Sequence, residues 1–188
     1  MTKIRITYPF MALAAVFVVF DNHNKLIITL MAMFIHEIGH IVGMISRSIP
    51  FEKITFGLTG ANIVYGNERL TSYKDDIFIA AMGSCFNFLV VSAAIVVENF
   101  ITCDTNYLIG INAVLGIFNI IPVIPLDGGR IMLSIISMIK GPFEAENIMR
   151  NFGKAASIIG IVYGIILIIK QGNFTLLLAS IVIFIYNI

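Results

Sequence analysis

Residues 26–45 form one apolar run in which the only ionisable side chains are His36, Glu37 and His40. An apolar stretch of about 20 residues is long enough to cross the hydrocarbon of a bilayer as a helix. Further apolar runs cover roughly 6–20, 76–97, 106–139, 154–170 and 174–187, divided by short polar segments. Of the 188 residues, 59% are hydrophobic and 12% charged. Soluble globular domains hold roughly 45–50% apolar and about 25% charged residues. The surplus is too large for a soluble core, so the bilayer is the natural solvent. The expected fold is an all-α polytopic membrane protein with about six transmembrane helices in 1–188 as a single domain.

The polar segments carry further information. Residues 51–65 do not read as helix. Ile54, Phe56 and Leu58 alternate, Thr59-Gly60 follows, then Ile63 and Tyr65, the pattern of a short β-hairpin between the second and third helices. Open backbone edges are not tolerated against lipid, so the hairpin is expected in protein, in water or at the membrane interface. Residues 140–153 read as a polar loop. At the start, Lys3 and Arg5 precede an apolar run that ends Val18-Val19-Phe20 without a small-residue cleavage site, so the run reads as an uncleaved anchor.

Positive charge sets the orientation. With the N-terminus in the cytosol, the cytosolic segments hold nine of the basic residues (Lys3, Arg5, Arg47, Lys53, Arg69, Lys74, Lys140, Arg150 and Lys154) and the far side two, Lys25 and Lys170. Both termini are then cytosolic. A net charge of +1 without a dense basic cluster argues against a nucleic-acid partner. Two cysteines, Cys85 and Cys103, give no disulfide framework.

The sequence His36-Glu37-Ile38-Gly39-His40 carries the chemistry. On a helix, positions i and i+4 lie one turn apart on one face. Two imidazoles so placed can hold one metal ion, and the glutamate between them can take a proton from a metal-bound water. Ionisable groups inside an apolar helix are costly unless they pair or bind something. Packing of two histidines around a protonated glutamate is the weaker alternative.

A catalytic zinc takes three protein ligands and leaves a position open. The acidic residue within an apolar run is Asp127, in the stretch Asn119-Ile120-Ile121-Pro122-Val123-Ile124-Pro125-Leu126-Asp127-Gly128-Gly129-Arg130. Two prolines and two glycines break the helix there, and broken helices at membrane depth line cavities. Asp127 is thus the candidate third ligand. Its other uses are pairing with Arg130 or capping the helix that follows.

With these two motifs in hand, HEIGH at 36–40 and NIIPVIPLDGG at 119–129, the chain resembles the site-2 protease family of intramembrane metalloproteases. Within it the chain is most similar to the bacterial sporulation stage IV FB branch, which has a short N-terminus, six spans, a membrane-associated hairpin and no inserted PDZ domain. The resemblance covers nearly the whole chain. It implies zinc as cofactor, His36, His40 and Asp127 as its ligands, and Glu37 as general base. Asn119 is similar to the family asparagine that orients substrate or oxyanion. Gly83 and Asn87 resemble the family's Gly-Pro-x-x-Asn segment, with Ser84 where proline is usual. Branch members often carry a C-terminal CBS domain, and none is expected within these 188 residues.

The resemblance further implies an intramembrane zinc endopeptidase. Its substrate would be a membrane-associated precursor, such as a sigma-factor pro-form or an anti-sigma factor, with regulatory membrane proteins as further partners. The active site would lie toward the cytosol. The rival is a non-catalytic scaffold that binds membrane helices or handles metal. Gly160 and Gly164 form a GxxxG pair suited to close helix packing, with a dimer as a lesser reading. His23 reads as an ordinary loop residue, and Arg130 as a counter-charge or a snorkelling side chain.

Overall fold

The computed structural model describes residues 3–6, 25–49, 51–57, 60–65, 72–101, 104–172 and 174–188. Apart from Ile6, the expected first helix, about 6–20, lies outside them, as do His23 and Cys103. Six helices occur among the described residues: α1 (Lys25–Ser46), α2 (Tyr73–Glu98), α3 (Asn106–Ile120), α4 (Asp127–Lys140), α5 (Pro142–Gln171) and α6 (Thr175–Asn187). Three of them, α1, α2 and α5, are long and apolar enough to cross a membrane. Backbone strands β1 (Lys3–Ile6), β2 (Phe51–Gly57) and β3 (Gly60–Tyr65) form a sheet in the order β1-β2-β3. β1 runs parallel to β2, and β2 antiparallel to β3.

The burial pattern is inverted relative to a soluble protein. The buried polar residues include His36, His40, Ser84, Asn87, Asn112, Asp127 and Ser180. Large apolar side chains such as Ile45 (63% exposed), Leu89 (62%), Phe34 (60%) and Ile159 (70%) face outward. In water such a surface would aggregate. In lipid it is solvated, and helix association rests instead on small residues and buried polar contacts.

The chain divides into two compact units, Met1–Asn119 and Ile120–Ile188. In the first, α1 packs on α2. A Cβ at Gly39 would collide with the Met82 carbonyl and lie 2.9 Å from Gly83 Cα, so the two backbones touch there. Toward one end of the pair, Arg47 reaches Asp75 at 3.6 Å and stacks 4.3 Å from the Phe78 ring centre. Ser72 caps α2 through its hydroxyl. α2 runs unbroken through Ser84, so the position where the family usually has proline forms no turn. α3 is tied to α1 by a 2.9 Å hydrogen bond between Tyr107 and Thr29.

The run 106–139 is broken as expected, into α3 and α4, with 121–126 irregular around Pro122 and Pro125. In the second unit one expectation needs correction: residues 140–153 are not a loop. Apart from Lys140, which ends α4, and Gly141, they form the first turns of α5. Gly141, at φ 87°, separates the two helices, and Pro142 stands at the start of α5, where a missing N–H costs nothing. Ala145, Met149, Gly153 and Ser157 are buried at four-residue intervals among exposed Glu144, Glu146 and Arg150. The helical period is present, but it is carried by small side chains among charges. At 1.5 Å per residue the 30-residue α5 is about 45 Å long. That exceeds the roughly 30 Å of hydrocarbon, so its charged beginning extends past the apolar layer.

The GxxxG pair is used within the chain. A Cβ on Gly160 would meet the Ser180 hydroxyl, and one on Gly164 would lie 2.8 Å from the Leu177 backbone, so α5 packs tightly on α6. Gly164→Ala is expected to lower stability by about 1–3 kcal/mol through overpacking, measured by unfolding in an SDS titration. Gly110→Ala, whose Cβ has nothing within 4 Å among the described residues, is the neutral control.

Candidate metal centre

The close approach of α1 and α2 builds the histidine pair. On α2, Ile79, Gly83 and Asn87 recur every four residues and are all buried. They form one stripe, which runs antiparallel to His36 and His40 on α1. His40 Nδ1 lies 2.8 Å from the Ile79 carbonyl and His36 Nδ1 2.7 Å from Asn87 Oδ1. Gly83 sits between these contacts, where a side chain would strike both rings.

The tautomers follow from the partners. A carbonyl only accepts, so His40 Nδ1 carries the proton. Asn87 Nδ2 donates to the Ala32 carbonyl (3.1 Å) and to Asn112 Oδ1 (2.9 Å), so its oxygen faces His36 and His36 Nδ1 donates as well. Nε2 is then the unprotonated nitrogen of each ring, and the two atoms stand 3.2 Å apart. A cation held between two such lone pairs relieves their repulsion. Tetrahedral zinc with Zn–N bonds of about 2.0–2.1 Å separates two nitrogen ligands by about 3.3 Å. The pair fits zinc, and each ring has the polar partner on its other nitrogen that metal-bound histidines require. Both residues are buried, at 6% and 5% exposure. Glu37, half-buried, lies between them in sequence.

Asp127 belongs to the second unit, as the first residue of α4. It is buried, with Arg130 Nη1 3.9 Å from its Oδ1. Its position in the first turn suits a negative charge at the helix N-terminus. Leu126, not Asp127, is the N-cap. Gly128 and Gly129 let the helix start press on the irregular segment, since a Cβ would strike the Ile120 and Ile121 carbonyls at one and the Val123–Ile124 peptide at the other. Asn187, from α6, donates to the Ile124 carbonyl at 2.8 Å and pins that segment.

Asn119 is half-buried and donates from Nδ2 to the Leu115 carbonyl of its own helix at 3.0 Å, leaving its side-chain oxygen as the acceptor. The sequence reading missed Ile79, Asn112 and Asn187. The two asparagines carried a legible signal, a carboxamide within an apolar run. A carbonyl such as that of Ile79 carries none.

The model of peptidase family M50 matches residues 97–167. A zinc metalloprotease of Methanocaldococcus jannaschii is 26% identical over 164 residues, 84% of this chain and 46% of that protein. A Synechocystis protein named as a zinc metalloprotease is 30% identical over 150 residues, 74% of this chain and 39% of that protein. The chain thus spans less than half the length of these relatives. The solved structure of a site-2 protease from Methanocaldococcus jannaschii shares the fold, with a TM-score of 0.75 at 23% identity, covering 99% of this chain and 89% of that one. Over residues 97–167 the chain is thus similar to peptidase family M50, its curated relatives are named zinc metalloproteases, and its fold is that of a solved site-2 protease.

Proposed function

We propose that the chain is an intramembrane zinc endopeptidase in which His36, His40 and Asp127 hold the metal and Glu37 is the general base. The observation that carries this reading is the pair of Nε2 lone pairs 3.2 Å apart, each ring fixed from behind by a hydrogen-bond acceptor. A zinc ion held by these residues would supply Lewis acidity and make a nearby water more acidic. Asp127 supplies the anionic third ligand. Glu37 takes a proton from the attacking water and returns it to the leaving amine. Asn119, whose Nδ2 gives one N–H to the Leu115 carbonyl, would orient the scissile carbonyl with its second N–H.

The substrate is a membrane-associated protein whose helix must be extended at the site, because a helix satisfies its own backbone. The outer edge of β3 offers strand addition for that extension. The chain crosses the membrane about six times, α1, α2 and α5 each being long enough to span it alone, with both termini and the site toward the cytosol, as the nine-to-two distribution of basic residues supports. The narrower stage IV FB branch, with a sigma-factor pro-form or anti-sigma-like substrate, rests on the motif resemblance alone.

The test is cleavage of a single-span substrate by the full chain in nanodiscs. Cleavage is expected to stop with a zinc chelator, to return with zinc, and to map to the cytosolic half of the span. Prolines placed along Gly60–Tyr65 are expected to slow it. Chelator-resistant cleavage overturns the zinc reading. Cleavage in the outer half overturns the orientation, and indifference to the prolines removes the strand-addition role.

A further inference from the structure

Asn112 is fully buried on α3, and nothing in the zinc chemistry calls for it. A buried carboxamide without partners is expensive, and this one is held at both ends. Its Nδ2 donates to the Leu108 carbonyl at 2.8 Å, and its Oδ1 accepts from Asn87 Nδ2 at 2.9 Å. The order of polarity is therefore fixed. The Leu108 carbonyl can only accept, so the Asn112 nitrogen must face it and the Asn112 oxygen must face Asn87. Asn87, also fully buried, then directs its nitrogen to Asn112 and to the Ala32 carbonyl. Its oxygen is left for His36 Nδ1, 2.7 Å away. Reversing either amide would set donor against donor or acceptor against acceptor at two contacts each.

We infer that Asn112 is a positioning residue that acts through Asn87 to hold the His36 proton on Nδ1, keeping Nε2 the unprotonated nitrogen that a metal would take. The relay crosses three helices of the first unit: Leu108 and Asn112 on α3, Asn87 on α2, Ala32 and His36 on α1. His40 needs no such device, because the Ile79 carbonyl sets its tautomer directly. The two ligands of one motif thus have different supports: one is a backbone group that no substitution removes, the other a chain of two side chains. Without Asn112, one Asn87 donor loses its partner and the Ala32 carbonyl is left as the remaining contact that opposes rotation of the amide, which would place its nitrogen against His36. The proton then moves to Nε2, where it blocks the metal. Removing such a supporting partner typically costs about 10–100-fold in metal affinity.

This inference rests on the zinc reading, and the experiment separates the two. Zinc affinity is measured by chelator competition on the full chain in nanodiscs, for wild type, Asn112→Leu, Asn87→Leu and the double variant. Nitrogen-15 NMR of the metal-free chain, labelled at histidine, reports which ring nitrogen is protonated. Asn112→Leu is expected to weaken zinc binding about 10–100-fold and to convert His36 from a single Nδ1–H form to a mixture, with His40 unchanged. The double variant is expected to bind zinc as Asn87→Leu does, because Asn112 acts only through Asn87. Wild type that binds no zinc overturns the zinc reading. Wild type that binds zinc, with Asn112→Leu losing thermal stability but keeping affinity and the His36 tautomer, overturns the relay alone. Additive losses in the double variant overturn it as well. If Asn112→Leu does not fold, Asn112→Ala, which removes bulk rather than adding it, is measured in the same way, and an unchanged tautomer there overturns the relay.

Discussion

Glu37→Gln is expected to leave the zinc content of the purified chain unchanged and to lower substrate cleavage by about 10²–10⁴-fold, the usual contribution of a positioned general base. The substitution keeps the size and shape of a half-buried side chain on α1. It alters neither imidazole nor any of the acceptors behind them, Asn87 Oδ1 and the Ile79 carbonyl. What it removes is the ability to accept a proton and hand it on, since a carboxamide at neutral pH does neither. The measurement pairs metal analysis with single-turnover cleavage on the same preparation, so that slow product release does not mask the chemical step. The result also decides against the rival class. A scaffold that binds membrane helices or handles metal has no use for the proton, and its binding is indifferent to the change. Cleavage at the wild-type rate would sink the role of Glu37. Loss of zinc along with activity would make it a structural element of the metal site.

The sequence made the candidate ligands legible and left the groups behind them obscure, for physical reasons. His36, Glu37 and His40 stand out because charge inside an apolar run is costly. Asp127 stands out because it follows two prolines in a segment too apolar to be an ordinary loop. The ends of α1, Lys25–Ser46, and α2, Tyr73–Glu98, fall within a few residues of the expected 26–45 and 76–97. The beginning of α5 was misread because charge was taken as a sign of loop. Glu144, Glu146 and Arg150 are exposed on a helix whose buried stripe consists of Ala145, Met149 and Gly153. Small residues give a weak hydropathy signal, yet they are what lets membrane helices approach. The same blindness applies to Gly160 and Gly164. The motif indicated close packing, but whether the partner was a second copy or α6 is a tertiary fact. Asn112 shows the limit most clearly. Its type and setting marked it as unusual, while its role depends on Asn87 and Leu108 meeting it at hydrogen-bonding distance.

Gly83→Ala, the addition of one methyl group, is expected to weaken zinc binding by about 10–100-fold or more and to carry cleavage down with it. The added Cβ would lie 2.6 Å from both Cε1 and Nε2 of His40 and 2.7 Å from Cε1 of His36. These are the ring edges that would face the proposed metal, so the methyl would compete for the space an ion needs there. Neither helix can relieve the clash cheaply. α1 is already pressed against this point of α2, with Gly39 opposite the Met82 carbonyl and Gly83 Cα. If the helices part, the 2.8 Å contact of His40 with Ile79 and the 2.7 Å contact of His36 with Asn87 lengthen together. If the rings turn instead, their Nε2 atoms leave the 3.2 Å separation that suits two ligands of one ion. Gly43→Ala is the matched control one helical turn along. Its Cβ would lie 3.2 Å from Ile79 Cα and from Met82 Cγ, a contact the flexible methionine can partly yield to, and it points at neither ring. Zinc affinity by chelator competition and stability by SDS titration are read on both variants. A larger loss of stability in Gly83→Ala than in Gly43→Ala is expected, with zinc affinity lost only in Gly83→Ala. Unchanged affinity in Gly83→Ala would mean that metal does not bind at the facing edges of His36 and His40, and the ligand assignment would fall with it.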